Sequence, residues 1–303
     1  MNARLLAGLG LLLAGCAVRP HWQGDVGLAL RTARAAQQEL VVFFALPGRE
    51  ASDRMQRTLA DPLVLGALAD GGFAATVADG TQRANLYATW IGGGEGMGIA
   101  VLDAAGRCYA ARPGPQDPPE LAAFLQFCAG ARGELATLRD AALRSDTPAI
   151  AKHALGCAYL QLGCRKESEP LLLDAATAGV VDARHRLARL HALDGNVVLA
   201  RRWLLHAPRT PQAMVTEGYV LFKERKHAEA VAMFEQALAT NNLGVDRQRA
   251  LLYLGKALHE NKQDERAIPL LEALAAEGTG STFEAGALHT LGHLKNPQHG
   301  HAH

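Results

Sequence analysis

Apolar positions in the second half of the chain recur at helical spacing, and they recur in sets. Four times a small residue is followed twelve positions later by another, four further by a large apolar residue and three further by an apolar one. The sets are Gly156, Ser168, Leu172, Ala175; Ala188, Ala200, Leu204, Ala207; Gly218, Ala230, Phe234, Ala237; and Gly255, Ala267, Leu271, Leu274. Each small residue follows Leu155, Leu187, Glu217 or Leu254 and stands three before Tyr159, His191, Leu221 or Leu258, a stripe at i, i+1 and i+4. Small residues on both helices let a helical hairpin close at near backbone contact, with the large residue expected to fill the gap to the next unit. The sets start 32, 30 and 37 residues apart, counted from Gly156 to Ala188, Gly218 and Gly255. Pro208 and Pro211 mark one lengthened loop between units. Leu291-Gly292, in TFEAGALHTLGHL, has no second helix after it and reads as the capping helix a solenoid needs. This pattern predicts an all-α solenoid over residues 134–295, an architecture suited to binding rather than catalysis.

Between Trp22 and Ala131 the pattern changes to alternating helix and strand. A helix through LALRTARAAQQ leads into the apolar run ELVVFFALP, then a helical stretch RMQRTLADPLVLGALADG, then FAATVAD. After a Gly-rich turn come GIAVLDAAGRCYAA, a hairpin with Ala105-Gly106 at its turn, and a closing helix PPELAAFLQFC. The chain is therefore expected to hold an α/β domain over residues 22–131 followed by an all-α one.

The amino terminus carries Arg4, an apolar run from Leu5 to Leu13 and the tetrapeptide Leu13-Ala14-Gly15-Cys16. The run is too short to span a bilayer and reads as the apolar core of a signal segment over residues 1–16. The tetrapeptide resembles the bacterial lipobox, which implies lipidation at Cys16. Ala17 follows in place of the Asp that such lipoproteins use for inner-membrane retention, so the resemblance implies an outer-membrane anchor with the body facing the periplasm.

The repeat spacing resembles the tetratricopeptide repeat, whose period is about 34 residues. The first domain resembles bacterial thioredoxin-like domains through LVVFFALPGREASDRM, Asp61-Pro62 and MGIAVLDAAGR. Alignment on Phe43-Phe44 and Met55 puts Arg49 and Ser52 where such domains carry two cysteines, and Met97 where they carry a cis-proline. Disulfide exchange needs a low-pKa thiolate and a resolving partner. Arg49 to Ser52 offers neither, so this resemblance implies a redox-silent fold.

The tetratricopeptide resemblance also implies a concave groove lined by the first helix of each hairpin. Its frame gives His153, Cys157 and Gln161; Asp182, His185 and Arg189; Tyr219, Phe222 and Lys223; and Arg249, Lys256, His259 and Glu260. Arg189, Lys223, Arg249 and Lys256 face only Asp182 and Glu260. Cations beside Tyr219 and Phe222 suit an extended, acidic or carboxylate-bearing peptide.

Composition narrows the alternatives. A net charge of +1 on 303 residues, with pI near 7.8, gives no electrostatic footprint for nucleic acid. Cys108, Cys128, Cys157 and Cys164 remain once Cys16 is set aside, an even number that permits disulfides in an oxidising compartment and equally permits free buried thiols. The run Gly92 to Gly98 lacks the Lys-Ser/Thr of a phosphate loop. His289 and His293 are four apart on the predicted cap, and residues 296–303 form a His-rich tail, but no third fixed ligand can be named. No catalytic triad, carboxylate pair or zinc-protease helix appears, so no catalytic residue and no cofactor is assigned. The expected function is a lipid-anchored scaffold for other envelope proteins or peptides; the alternative is a thiol-disulfide or metal-handling protein using Cys108, Cys128 or the tail.

Overall fold

The computed structural model describes residues 25–92, 96–144, 148–240, 242–244 and 246–295. Cys16 with its signal segment, the centre of the glycine run and the His-rich tail lie outside the described residues.

The first half builds around four strands. Helix α1 (Val26–Ala35), N-capped by Asp25, precedes β1 (Glu39–Ala45), whose last six residues are all buried. The single helical stretch expected next divides into α2 (Glu50–Leu59) and α3 (Pro62–Asp70), because Asp61 caps a new helix with Pro62 at its first position. After β2 (Phe73–Asp79) comes a helix where only a glycine-rich turn was expected, α4 (Ala84–Trp90). Asp79 starts that turn by accepting the Thr81 and Gln82 amides, and Tyr87 and Trp90 pack edge-on against Phe44. Strands β3 (Gly98–Leu102) and β4 (Cys108–Pro113) form the hairpin turning through Ala105-Gly106. Sheet order is β2-β1-β3-β4, with β1 and β2 parallel and the other pairs antiparallel.

Helix α5 (Pro118–Leu143) runs 26 residues, far past the end of PPELAAFLQFC. The expected break between residues 131 and 134 falls inside it. Its first half covers the sheet through Leu121, Phe124, Leu125 and Cys128. Arg132 then bonds Glu39, which also accepts from the Tyr109 hydroxyl at 2.6 Å. The core continues from the sheet into Leu155, Tyr159, Leu162 and Cys164 of the first hairpin.

Four hairpins follow. They are α6 (Pro148–Gln161) with α7 (Arg165–Thr177), α8 (Ala183–Leu193) with α9 (Val197–Leu204), α10 (Pro211–Lys223) with α11 (His227–Leu238), and α12 (Asp246–Glu260) with α13 (Asp264–Ala275). Thr210 caps α10 ahead of Pro211. A residue with left-handed backbone stands seven positions after each small residue, at Gly163, Gly195, Arg225 and Lys262, and turns each hairpin. Helix α14 (Thr282–Lys295) is the cap.

The glycines meet a different partner from the one spacing suggests. A Cβ on Gly218 would lie 2.8 Å from the Phe234 ring, and one on Gly156 or Gly255 would lie 2.9 or 2.5 Å from Leu172 or Leu271. The large residue therefore seats on the glycine of its own hairpin, the Phe234 ring being the nearest neighbour of Gly218, and as expected it also joins the core shared with the next unit, Leu172 with Leu187, Phe234 with Leu254 and Leu271 with Leu291. In the first hairpin the intervening small residue adds a bond, from the Ser168 hydroxyl to the Gly156 carbonyl at 2.7 Å.

The solenoid curls back on the first domain. Helix α14 packs on α12 and α13 and also on α5, and His289 of the cap bonds Asp117 before α5.

Candidate functional site: a cationic cleft

That closure turns the concave face into a cleft of about 1,000 Å³. Its floor is the row of first helices, which contribute Gln161, Arg189, Tyr219, Lys223, Arg249 and Lys256 of the residues expected at the groove. One wall comes from the first domain, with Arg112, Glu120 and the exposed ring of Phe127. A further side is the loop from Glu277 to Ser281 with the first turn of α14, including Phe283.

Aromatic rings and cations alternate along the floor. Tyr219 and Tyr253 meet edge to face at 4.7 Å, with Lys223 Nζ 5.6 Å over the first ring and Lys256 Nζ 5.7 Å over the second. Arg249 lies 5.3 Å over Phe283. Arginine or lysine holds seven of the lining positions, whereas carboxylates hold two, Glu120 and Glu277. Arg165 is spent on Asp194, Arg247 on Glu277 and Arg249 in part on Asp246, which leaves Arg112, Arg189, Lys223 and Lys256 with Glu120 as the other lining carboxylate.

Beneath this surface is a buried charge cluster. Asp246, 2% exposed, pairs with Arg186 at 3.2 Å and with Arg249, itself 4% exposed. One carboxylate serves two guanidiniums, and donors are left over: Arg189 Nη1 and Arg249 Nε are buried without a hydrogen-bond partner among the described residues. Burial, then the neighbouring Arg186 charge, pushes Arg189 down to about 10, and burial with the Arg189 charge holds Arg249 well below its ordinary value. Burying two guanidiniums side by side carries an electrostatic cost that an anion in the cleft would relieve.

Other expected groove residues lie elsewhere. His185, in the first turn of α8, is fully buried and is not at the cleft surface. His153 is half-buried, its Nε2 3.4 Å from Cys157 Sγ, and burial pushes that thiol up. His259 pairs with Asp264 at 2.8 Å at the α12–α13 turn. Asp182 and Glu260 are exposed, and Phe222 packs on Tyr253 and His227. The repeat frame identifies the helix face but not the depth of each side chain once α6, α8 and α10 press together. It also cannot supply Arg112, Glu120 or Phe127, which come from another domain, or Tyr253, one position outside the frame.

His185 yields a pH prediction. Neither ring nitrogen has a hydrogen-bond partner among the described residues, and burial followed by the Arg186 charge pushes its pKa down to about 3. A depressed histidine pKa gives stability that is complete above the unfolded value near 6.5 and is lost as pH falls toward 3. Lowering the pH from 7 to 5 is therefore expected to remove about 2 kcal/mol through this residue. Chemical denaturation at both pH values should show a smaller difference for His185→Leu than for the unaltered chain; equal differences would contradict the assignment.

Residues 215–282 match the family profile of the tetratricopeptide repeat. This region carries that repeat. The match spans α10 to the start of the cap, where Tyr219, Lys223, Arg249, Tyr253 and Lys256 reside. No curated protein matches the sequence. Among solved structures, the Cut9-Hcn1 hetero-tetramer of the APC/C is 16% identical, with a TM-score of 0.48, over 59% of this chain and 36% of that one. Two structures of a Podosopora anserina protein, described as a kinesin light chain with nearly identical TPR-like repeats, are 22% and 21% identical. Their TM-scores are 0.32 and 0.31, each over 52% of this chain and 86% of the other. Repeats of this family mark a protein-interaction scaffold.

Proposed function

We propose that this scaffold holds a short acidic or carboxylate-bearing segment of a partner protein in the cleft between its repeats and its first domain. The observation that carries the reading is the pair of buried guanidiniums with donors to spare, Arg189 and Arg249, beneath Tyr219, Lys223, Tyr253 and Lys256. Carboxylates would take the spare donors, while the aromatic rings offer apolar area to the segment's stems. Capture of partners from solubilised envelopes by the full chain, compared with its Lys223→Glu/Lys256→Glu variant, tests the reading.

The first domain serves as the cleft's fixed wall and, in our reading, is a thioredoxin-like module without redox chemistry. Its mixed sheet and closing helix support that, as does the start of α2. Arg49 occupies the N-cap of α2, and Ser52, 1% exposed, accepts the Leu46 amide at 3.1 Å where a resolving thiol would stand. Met97 is buried and its carbonyl accepts from the Tyr87 hydroxyl. Burial pushes the Cys128 and Cys157 thiols up, which opposes the thiolate that exchange chemistry requires. Among the described residues no group of three or more metal-ligating side chains converges.

Lipid anchorage at Cys16, with the body in the periplasm at the outer membrane, completes the proposal; the tetrapeptide Leu13 to Cys16 motivates it. Cys16→Ala is expected to abolish incorporation of labelled palmitate, and undiminished incorporation would refute the anchor.

A further inference from the structure

The junction between the two halves is built from backbone. The turn of the first hairpin lies along the outer edge of β4, where the Ala111 amide donates to the Leu162 carbonyl at 2.9 Å. Gly163, with φ of 83°, sits so close that a Cβ there would collide with the Ala111 carbonyl. Lys166 reaches across to the Ala88 carbonyl. This docking covers the free edge of the sheet. It also places Cys108, the first residue of β4, with its sulfur 3.5 Å from that of Cys164, the N-cap of α7. The two are 56 positions apart in sequence, and their relative exposures are 5% and 1%.

We propose that Cys108 and Cys164 form a disulfide that staples the first domain to the repeats. The sulfurs are already in contact and must close from 3.5 Å to a bonding distance of about 2.05 Å. Chemically, one thiolate attacks an external disulfide, such as oxidised glutathione or an oxidised dithiol protein, and releases one thiol. The second thiolate then displaces the other thiol from the mixed disulfide. The two cysteines lose two electrons and two protons, and the oxidant's sulfurs gain them. Burial drives the Cys164 thiol well above its ordinary value, so exchange belongs to the stage before the junction closes. The staple lies directly behind the cleft, because Ala111 and Arg112 follow Cys108 on β4 and Gly163 and Arg165 flank Cys164, all four lining the cavity. It would fix the separation between Arg112 and the repeat floor.

The inference stands on the junction alone and is independent of what the cleft binds. Its test is a thiol count and disulfide map on the full chain, folded in a glutathione redox buffer and, separately, exported to a bacterial periplasm and acid-trapped. In the denatured chain Cys108 and Cys164 are expected to resist alkylation until reduced, while Cys128 and Cys157 react, with one proteolytic product joining the Cys108 and Cys164 peptides. Reduction should lower Tm on the order of 5 °C or more, and Cys108→Ser or Cys164→Ser should abolish that shift. Cys108 and Cys164 both reacting without reduction in the denatured, acid-trapped chain, or a bond involving Cys128 or Cys157, would overturn the proposal.

Discussion

Gly218→Leu is expected to destabilise the protein by about 1–3 kcal/mol or more, because it overpacks a closed hairpin. A Cβ at that position would meet three atoms of the Phe234 ring between 2.8 and 3.0 Å, and a leucine adds three further carbons. Phe234 cannot retreat, since it is fully buried in the core that joins α10, α11 and α12. The second hairpin shows the contrast. Ala188 takes the equivalent place there, opposite Leu204, which is only partly buried and ends the short helix α9. A methyl is accepted where the partner can move, and glycine is required where it cannot. Glu229→Gln, on the exposed face of α11, should stay within about 0.5 kcal/mol. An unchanged melting temperature for Gly218→Leu would contradict the hairpin register.

Reversing Lys223 and Lys256 to glutamate is expected to cut partner capture at least tenfold while leaving the fold intact. Lys223 is exposed and Lys256 half-buried, and neither is in an ion pair among the described residues, so little stability rides on them. Each lies over a tyrosine ring of the cleft floor, so the change puts two carboxylates where an acidic segment would run. Like charges at an interface cost several kcal/mol, ample for the loss. Capture by the unaltered chain should also weaken as salt rises, since screening at physiological ionic strength acts over about 8 Å. Retention through both changes would place the binding surface outside the cleft.

The repeats were legible because hairpin closure imposes one spacing on four segments, and Gly156, Ala188, Gly218 and Gly255 keep it while the loops between them vary. The pairing of glycine with the large residue sixteen positions on was not legible, since both small and large residues recur at fixed intervals and spacing alone does not say which meet. In the first half, alternation and turn residues located the strands. Helix α4 was hidden because ANLYATW is short and adjoins a glycine run. The extent of α5 was hidden because its second half buries fully only Leu135, with Leu138 and Ala142 partly covered, a thinner apolar stripe than the first half carries.

The candidate site was half readable. A groove frame located Arg189, Tyr219, Lys223, Arg249 and Lys256, since a helix face follows from periodicity. What makes the site a cleft is long-range: α14 returning to α5, and β4 contributing Arg112 from more than a hundred positions before Tyr253. His185 shows the opposite error, a residue on the expected face that neighbouring helices bury.

The most direct test of the acidic-segment reading uses the purified full chain and a labelled peptide rich in aspartate and glutamate, beside its asparagine and glutamine counterpart, with binding followed by fluorescence anisotropy. The account predicts saturable binding of the acidic peptide, at least tenfold tighter than the amide form and lost in the Lys223→Glu/Lys256→Glu variant. Equal binding of the two peptides, or acidic-peptide binding untouched by the reversal, would contradict it.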